Sequence, residues 1–440
     1  MTDVGAPADT SSDGVPVEPV DPETPAVPEA AVLREPRDGV PPVIESPWDL
    51  REAAEALAQG TGPVAIDAER ASGYRYGQRA YLVQLRREGS GSHLVDPIAV
   101  PDLEPLATAL DGTEWVLHAA SQDLPCLREI GLRPDRLFDT ELAGRLLGYP
   151  KVGLSSLLEE VLGHALAKEH SAADWSTRPL PEPWLRYAAL DVELLVELRD
   201  ALEGQLRDAG KLRWALEEFD AVRTMPPAPP RVDPWRRTSG LHKVRRPRQL
   251  AVVRSLWERR DAIAVRRDIS PGRVLPDSSI VVAALASPSV AGQPAPRLAE
   301  LPAFSGRGAK RHLADWQAAV DDAVALPEPR LPPGALPSDG PPPPRAWAER
   351  DPVAAARLSS ARAALSLQAE TLRLPVENLL SPDLLRRLLW TPPDPLDEVS
   401  VSAALAAGGA RPWQVELAAP TLVAAIAEAD ARRDQEPDAS

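Results

Sequence analysis

Val64-Ala65-Ile66-Asp67-Ala68-Glu69 (residues 64–69) reads as an apolar strand that ends in an acid pair. Side chains two apart on a strand share a side, so Asp67 and Glu69 face together while Ala68 turns to the other layer. Outward from this run, Ala80-Tyr81-Leu82-Val83-Gln84-Leu85 alternates as a second strand. Residues 92–96 (SHLVD) give a short third strand and 115–118 (WVLH) a fourth. Upstream, WDLREAAEALAQG (48–60) predicts a helix that starts after Ser46-Pro47 and stops at Gly60. Downstream, a helix carries Leu127 and Ile130, and helical patterns follow over 140–147, 154–162, 181–209 and 211–224. Strands first, with helices interleaved and later, predict an α/β domain with a mixed sheet over residues 47–225.

The flanks have a different character. Residues 1–46 are acidic and proline-rich and predict a disordered leader. A proline linker at 226–240 precedes an all-helical unit at 241–325, which opens with the amphipathic run RPRQLAVVRSLWERRDAIAVRRD (246–268). A second proline-rich linker, 326–344, leads to a last helical unit at 345–435. ISPGRVL (269–275) and LPVENLL (374–380) occupy corresponding places in the two units, which predicts a weak internal repeat.

Composition bounds the function. With 440 residues and 44% apolar content the chain can build several cores. Its single cysteine, Cys126, allows no disulfide partner within the chain and no cysteine-based zinc cluster, and fits a reduced, cytoplasmic setting. No run approaches the roughly 20 apolar residues that span a bilayer, so a soluble protein with no membrane partner is expected. The net charge of −16 is uneven. Residues 1–46 hold ten acids and two arginines, whereas residues 231–274 hold thirteen Lys/Arg against four acids. That basic segment is the feature a nucleic-acid partner would use.

Hydrolysis of a phosphodiester needs charge stabilised on the attacking and leaving oxygens, which two divalent cations do as a clamp. Hard cations such as Mg²⁺ or Mn²⁺ take carboxylate oxygens. Asp67 and Glu69 offer two from a strand. Asp123, in HAASQD (118–123), lies where a strand end meets a loop. Tyr187 and Asp191, four apart on a predicted helix, share a face. Each piece alone has a blander reading: an isolated Asp-x-Glu is usually a solvated strand end, and a Tyr-x3-Asp pair usually a packed tyrosine beside an exposed acid. Their combination in this order points to a two-metal phosphodiesterase.

The run ADWSTRPLPEPWLRYAALDVELL (173–195), with HAASQDLPCL (118–127), LFDTELAGRLLG (137–148) and KVGLSSLLEEVLG (151–163), resembles the ribonuclease D family. That family forms part of the tyrosine branch of the DEDD exonucleases. The two C-terminal helical units resemble the HRDC domain, and the resemblance covers residues 45–435. It implies a ribonuclease H-like 3′–5′ exonuclease domain followed by two small all-helical HRDC-like domains. It further implies that Asp67, Glu69, Asp123 and Asp191 bind two divalent metal ions, Mg²⁺ or Mn²⁺, with Asp67 bridging both. Tyr187 would orient the attacking water, since an ordinary tyrosine pKa near 10 suits positioning better than proton abstraction. The implied substrate is the 3′ end of single-stranded RNA, tRNA precursors among them, with release of nucleoside 5′-monophosphates.

Neighbouring residues carry further expectations. His118 is expected to be structural or to line the substrate pocket, Asp139 to cap a helix, and Trp175 to pack. Arg178 is a candidate phosphate contact, and Lys243, Arg245, Arg246 and Arg248 a candidate nucleic-acid patch. The mixed charges of the last unit (Asp383, Asp394, Asp397, Arg386, Arg387) suggest packing on the nuclease domain or a weaker contact. The same acids would serve a DNA 3′–5′ exonuclease, and a nucleic-acid-binding scaffold with a silent site is a further reading. A protein acting through its acidic leader is another.

Overall fold

The structure, a computed structural model, describes residues 31–166, 173–336 and 340–435. Eight strands occur in it: β1 (Ala31–Leu33), β2 (Val43–Ile44), β3 (Thr61–Arg70), β4 (Ala80–Glu88), β5 (Gly91–Val95), β6 (Glu114–Leu117), β7 (Arg136–Asp139) and β8 (His164–Leu166). Six form one mixed sheet in the order β2-β5-β4-β3-β6-β7. β3 and β4 are antiparallel, with Asp67 opposite Gln84 and Glu69 opposite Leu82, and β6 runs parallel to β3. β3 sits centrally because Val64, Ala65 and Ile66 are fully buried between the layers.

Helix α1 (Pro47–Gln59) begins where the Ser46 hydroxyl accepts from the Asp49 N–H and ends at Gly60. Leu50, Ala53, Ala54 and Leu57 recur at helical spacing and form its buried stripe. α2 (Glu104–Ala109), α3 (Leu124–Glu129), α4 (Thr140–Leu147) and α5 (Leu154–Leu157) follow, the last continued by a π-helical turn over Leu158–Leu162. The helix expected over 181–209 is two, α6 (Glu182–Glu193) and α7 (Leu195–Asp208), broken at Leu194. α8 (Leu212–Thr224) closes the α/β part. β7, a four-residue edge strand, was not anticipated: RLFD is too short to show a period.

The expected leader also changes. Residues 1–30 lie outside the described residues, but 31–46 do not behave as a tail. β2 pairs with β5, and β1 pairs with β8. Arg37 reaches Glu193 and Glu197 at the end of α6 and the start of α7. The acidic average over 46 residues concealed two apolar strands of three and two residues.

The helical units repeat closely. The first holds α9 (Pro247–Arg267), α10 (Pro271–Val274), α11 (Asp277–Ala286), α12 (Arg307–Arg311) and α13 (Leu313–Val324). The second holds α14 (Trp347–Arg350), α15 (Pro352–Leu372), α16 (Val376–Leu379), α17 (Pro382–Trp390), α18 (Glu398–Ala407) and α19 (Pro412–Gln435). α9 and α15 are both 21 residues long, and each ends on a left-handed residue, Asp268 (φ 45°) or Arg373 (φ 51°). Helix starts 247 and 352, and 271 and 376, keep one offset of 105.

Their packing differs. The first unit has its own core around Trp235, Leu256 and Trp316. The second shares one core with the nuclease domain. Buried Trp413 stacks on Trp214 at 5.0 Å and its indole N–H donates to Glu218 at 3.0 Å. Lys211 Nζ donates to the carbonyls of Leu146 and Leu372, both at 2.6 Å. At Gly148 (φ 84°) a Cβ would lie 2.4 Å from the Arg373 carbonyl oxygen, so only glycine fits this contact. Among the described residues no helix is long and apolar enough to cross a membrane.

Trp413→Ala is therefore expected to destabilise the nuclease domain itself by about 3–5 kcal/mol. Trp316→Ala should instead split off an early transition of the first helical unit. Calorimetric melting of both variants checks this, and a nuclease transition untouched by Trp413→Ala would contradict the shared core.

Candidate active site

β3 presents Asp67 and Glu69 on one side, as strand alternation requires. α6 packs across β3, β4 and β5 and brings Tyr187 and Asp191, one turn apart, over the same place. Oxygens of Asp67, Glu69 and Asp191 all lie within 4.8 Å of one another. Asp123 arrives from the loop that leaves β6 and stands as N-cap residue of α3.

That loop is shaped by a second acid. The buried Asp139 carboxylate accepts from Ala119 N (3.1 Å) and Ala120 N (2.8 Å), and Ala119 is held at φ 57°. The same carboxylate caps α4 by accepting from Glu141 N and Leu142 N, as expected of it. Burial pushes Asp139 up to about 6, against the opposing pull of these hydrogen bonds.

The four acids suffer burial and each other. Glu69 is raised well above its ordinary range by burial and then by Asp67, Asp191 and Asp123. Asp191 is raised well above its range by burial and then by Asp67, and Asp67 is raised by burial. Asp123 is pushed up to about 8 by burial, then by Asp67. Tyr187 is hydrogen-bonded to Asp191, and burial with the surrounding acids drives its hydroxyl further above the ordinary value. It stays protonated, which suits an orienting role. His118 donates or accepts at Thr140 Oγ1 (2.9 Å), and burial pulls it down to about 4, so the ring is neutral. With Ile66, Asp67, Leu154, Tyr187, Asp191 and Leu195 it lines a cavity of about 180 Å³. Cys126 lies just behind, buried, with its thiol donating to the Asp123 carbonyl.

Two arginines expected to meet phosphate have other duties. Arg178 clamps Asp96 through Nε (2.6 Å) and Nη2 (2.9 Å) and donates to the carbonyls of Tyr81, Trp175 and Thr177. Its donors are consumed in tying the signature loop to β4 and β5. Arg248 is 1% exposed and donates to the carbonyls of Val324 and Leu326 and to Glu328. It braces α9 against α13 from within. Lys243, Arg245 and Arg246 are exposed, but they precede the start of α9, about 30 Å along a helix of this length from the Asp268 end that meets the nuclease domain. Trp175 is fully buried beside Trp184 (5.5 Å) and Tyr187 (6.5 Å), the packing role expected.

One residue of the site went unread. Arg70 Nη2 lies 3.3 Å from Asp123 Oδ1 and lowers the cost of charge on Asp67, Glu69 and Asp123. Simple alternation would turn Arg70 away from Glu69. The β3–β4 ladder is irregular between Glu69 and Arg70, and such a bulge re-aims the side chain. Gln84, across the ladder from Asp67, is fully buried with neither amide atom hydrogen-bonded to a described residue.

Comparisons with known proteins match three stretches of the chain. Residues 42–207 match the family described as 3′-5′ exonuclease, and 249–320 the HRDC domain. Residues 340–426 match a separate family, the 3′ to 5′ exonuclease C-terminal domain. The ribonuclease D of Pseudomonas paraeruginosa is 33% identical over 346 residues, 74% of this chain and 83% of that protein. Across similar curated ribonucleases D the matched region spans from 46% to 83% of their length. A crystal structure of a protein from Bifidobacterium adolescentis is 40% identical with a TM-score of 0.82, covering 91% of this chain and 100% of that one. Escherichia coli RNase D, described as an exoribonuclease involved in structured RNA processing, is 27% identical with a TM-score of 0.62, over 88% and 98% of the two chains. The chain belongs to the ribonuclease D family of 3′–5′ exoribonucleases, with an exonuclease domain first and an HRDC domain behind it.

Proposed function

We propose that this protein is a metal-dependent 3′→5′ exoribonuclease that removes nucleotides singly from single-stranded RNA 3′ ends, tRNA precursors among its substrates, and releases nucleoside 5′-monophosphates in a reduced, cytoplasmic setting. The observation that carries this reading is the meeting of three half-buried carboxylates within 4.8 Å, beside a buried fourth acid and a tyrosine hydroxyl. Carboxylates so close, partly desolvated and mutually repelling fit a divalent cation far better than they fit each other.

Asp67, Glu69 and Asp191 would hold one Mg²⁺ or Mn²⁺, and Asp67 with Asp123 a second. When bound, two such ions stabilise the attacking and leaving oxygens and lower the pKa of the attacking water. The remaining work belongs to the protein. Tyr187, protonated and tied to Asp191, offers its hydroxyl oxygen to fix the direction of that water. Neutral His118 and the apolar side chains of Ile66, Leu154 and Leu195 give the terminal nucleoside an uncharged wall. The narrow cavity suits a single unpaired end.

The purified protein should convert a 5′-labelled single-stranded RNA into a ladder shortening from the 3′ end, given Mg²⁺ or Mn²⁺. Asp67→Asn/Asp191→Asn should be slower by about a hundredfold or more. RNA left intact under both metals, or a matched DNA strand consumed in preference to RNA, would reject the assignment.

Tyr187→Phe separates positioning from ligation. Turnover should fall about a hundredfold through misorientation of the water, while Mn²⁺ still raises the melting temperature as in the wild type. A variant that loses the Mn²⁺-dependent rise would make Tyr187 part of the metal site instead.

A further inference from the structure

The β3–β4 loop, residues 71–79, leaves the site directly after Arg70 and is gripped by the first helical unit. Asp268, the left-handed residue that ends α9, accepts from Tyr76 N (3.2 Å) and Gly77 N (3.3 Å). Ser270 N donates to the Tyr74 carbonyl at 3.0 Å, and Tyr76 Oη donates to Asp261 at 3.0 Å. Arg273 Nε donates to the Gly73 carbonyl at 2.7 Å, and its guanidinium lies over the Tyr74 ring at 4.1 Å. The C-terminal end of α9 is thus fastened to the segment that leads away from the acids.

Cations gather at this joint. Arg266 and Arg267 end α9, Arg273 lies on α10, and Arg307, Lys310 and Arg311 lie on α12; all six are exposed. The end of α9, α10 and α12 adjoin one another, so these charges make a basic strip across three neighbouring elements. Gly308 of α12 lies against α10, where a Cβ would meet the Arg273 and Val274 carbonyls at 3.2 and 3.4 Å. Arg267 Nη1 stands 3.5 Å from His312 Nε2, just past α12. The nearby acids are already engaged: Asp268 and Asp261 by the loop, and Asp315 by His312 at 3.3 Å. Among the described residues Arg266, Arg307, Lys310 and Arg311 have no carboxylate partner. In a chain of net charge −16, such a strip beside the loop that follows the catalytic strand presents positive charge to a phosphate backbone.

We infer that this strip, and not the Lys243–Arg246 end of α9, holds the RNA body on the 5′ side of the nucleotide being removed. The inference rests on the exoribonuclease reading for the identity of its ligand. Continuity is the deciding argument. A strand whose 3′ end reaches Asp67 and Asp123 leaves past Arg70 and the loop, and the first charges it meets on the helical unit are these. The contacts are to phosphate, so affinity should be salt-dependent and indifferent to sequence.

The test compares two triple variants of the full-length protein that remove equal charge: Arg307→Gln/Lys310→Gln/Arg311→Gln at the joint and Lys243→Gln/Arg245→Gln/Arg246→Gln at the far end. Binding of a 24-nucleotide single-stranded RNA is measured in EDTA across a KCl series, with melting curves to confirm folding. The joint variant should bind about tenfold more weakly at 0.1 M KCl, and its log Kd against log [KCl] slope should drop by about two, near 0.7 for each lost phosphate contact. The far-end variant should follow the wild type. Equal losses in both variants, or wild-type affinity and slope in the joint variant, would overturn the inference. Since EDTA prevents turnover, a protein that binds through the strip yet trims nothing would keep the surface and lose the activity. One that trims RNA while the joint variant binds normally would lose the surface alone.

Discussion

Four carboxylates crowded into one place, Asp123 buried and the other three half-buried, constitute the constraint on which the rest of the protein depends. Left to themselves, such groups would separate or protonate, because burial and like charge both oppose ionisation. Each is therefore fixed by a part of the scaffold that cannot move far. Asp67 and Glu69 ride the central strand of the sheet, Asp191 a helix packed across three strands, and Asp123 a loop pinned by Asp139. Arg178 locks the segment before that helix onto Asp96. Arg70 supplies the nearest fixed positive charge, which offsets part of the repulsion without filling the space between the other three acids.

The two helical units answer this constraint differently. The second adds its apolar surface to the nuclease core through Trp413 and the Lys211 clamp, and so serves rigidity. The first keeps a separate core and touches the nuclease domain at the hairpin loop beside the acids. One corner of the repeated unit, the left-handed residue that ends its long helix, makes the contact in both cases, Asp268 through its side chain and Arg373 through its carbonyl oxygen. A duplicated fold has thus been joined to the nuclease domain twice by equivalent corners.

Much of this was legible in the sequence because the relevant periods are short. Strand alternation alone puts Asp67 and Glu69 together, and helical spacing alone puts Tyr187 over Asp191. The repeat of the helical units showed in ISPGRVL and LPVENLL, which align at the offset the structure gives. What escaped was non-local. Charge counting cannot tell that Arg248 is buried under α13 or that Arg178 is spent on Asp96. A bulge turned Arg70 against alternation. β1 and β2 are too short to carry a pattern and exist only because β8 and β5 receive them. The break at Leu194 leaves no proline or glycine to mark it.

Diffraction from crystals soaked in Mn²⁺, recorded for its anomalous signal, tests the account most directly. The expected result is strong density among the carboxylates of Asp67, Glu69 and Asp191, and a second site between Asp67 and Asp123 with the Arg70 guanidinium drawn away. Density confined to other acids, with Arg70 still paired to Asp123 and the three carboxylates empty, would contradict it.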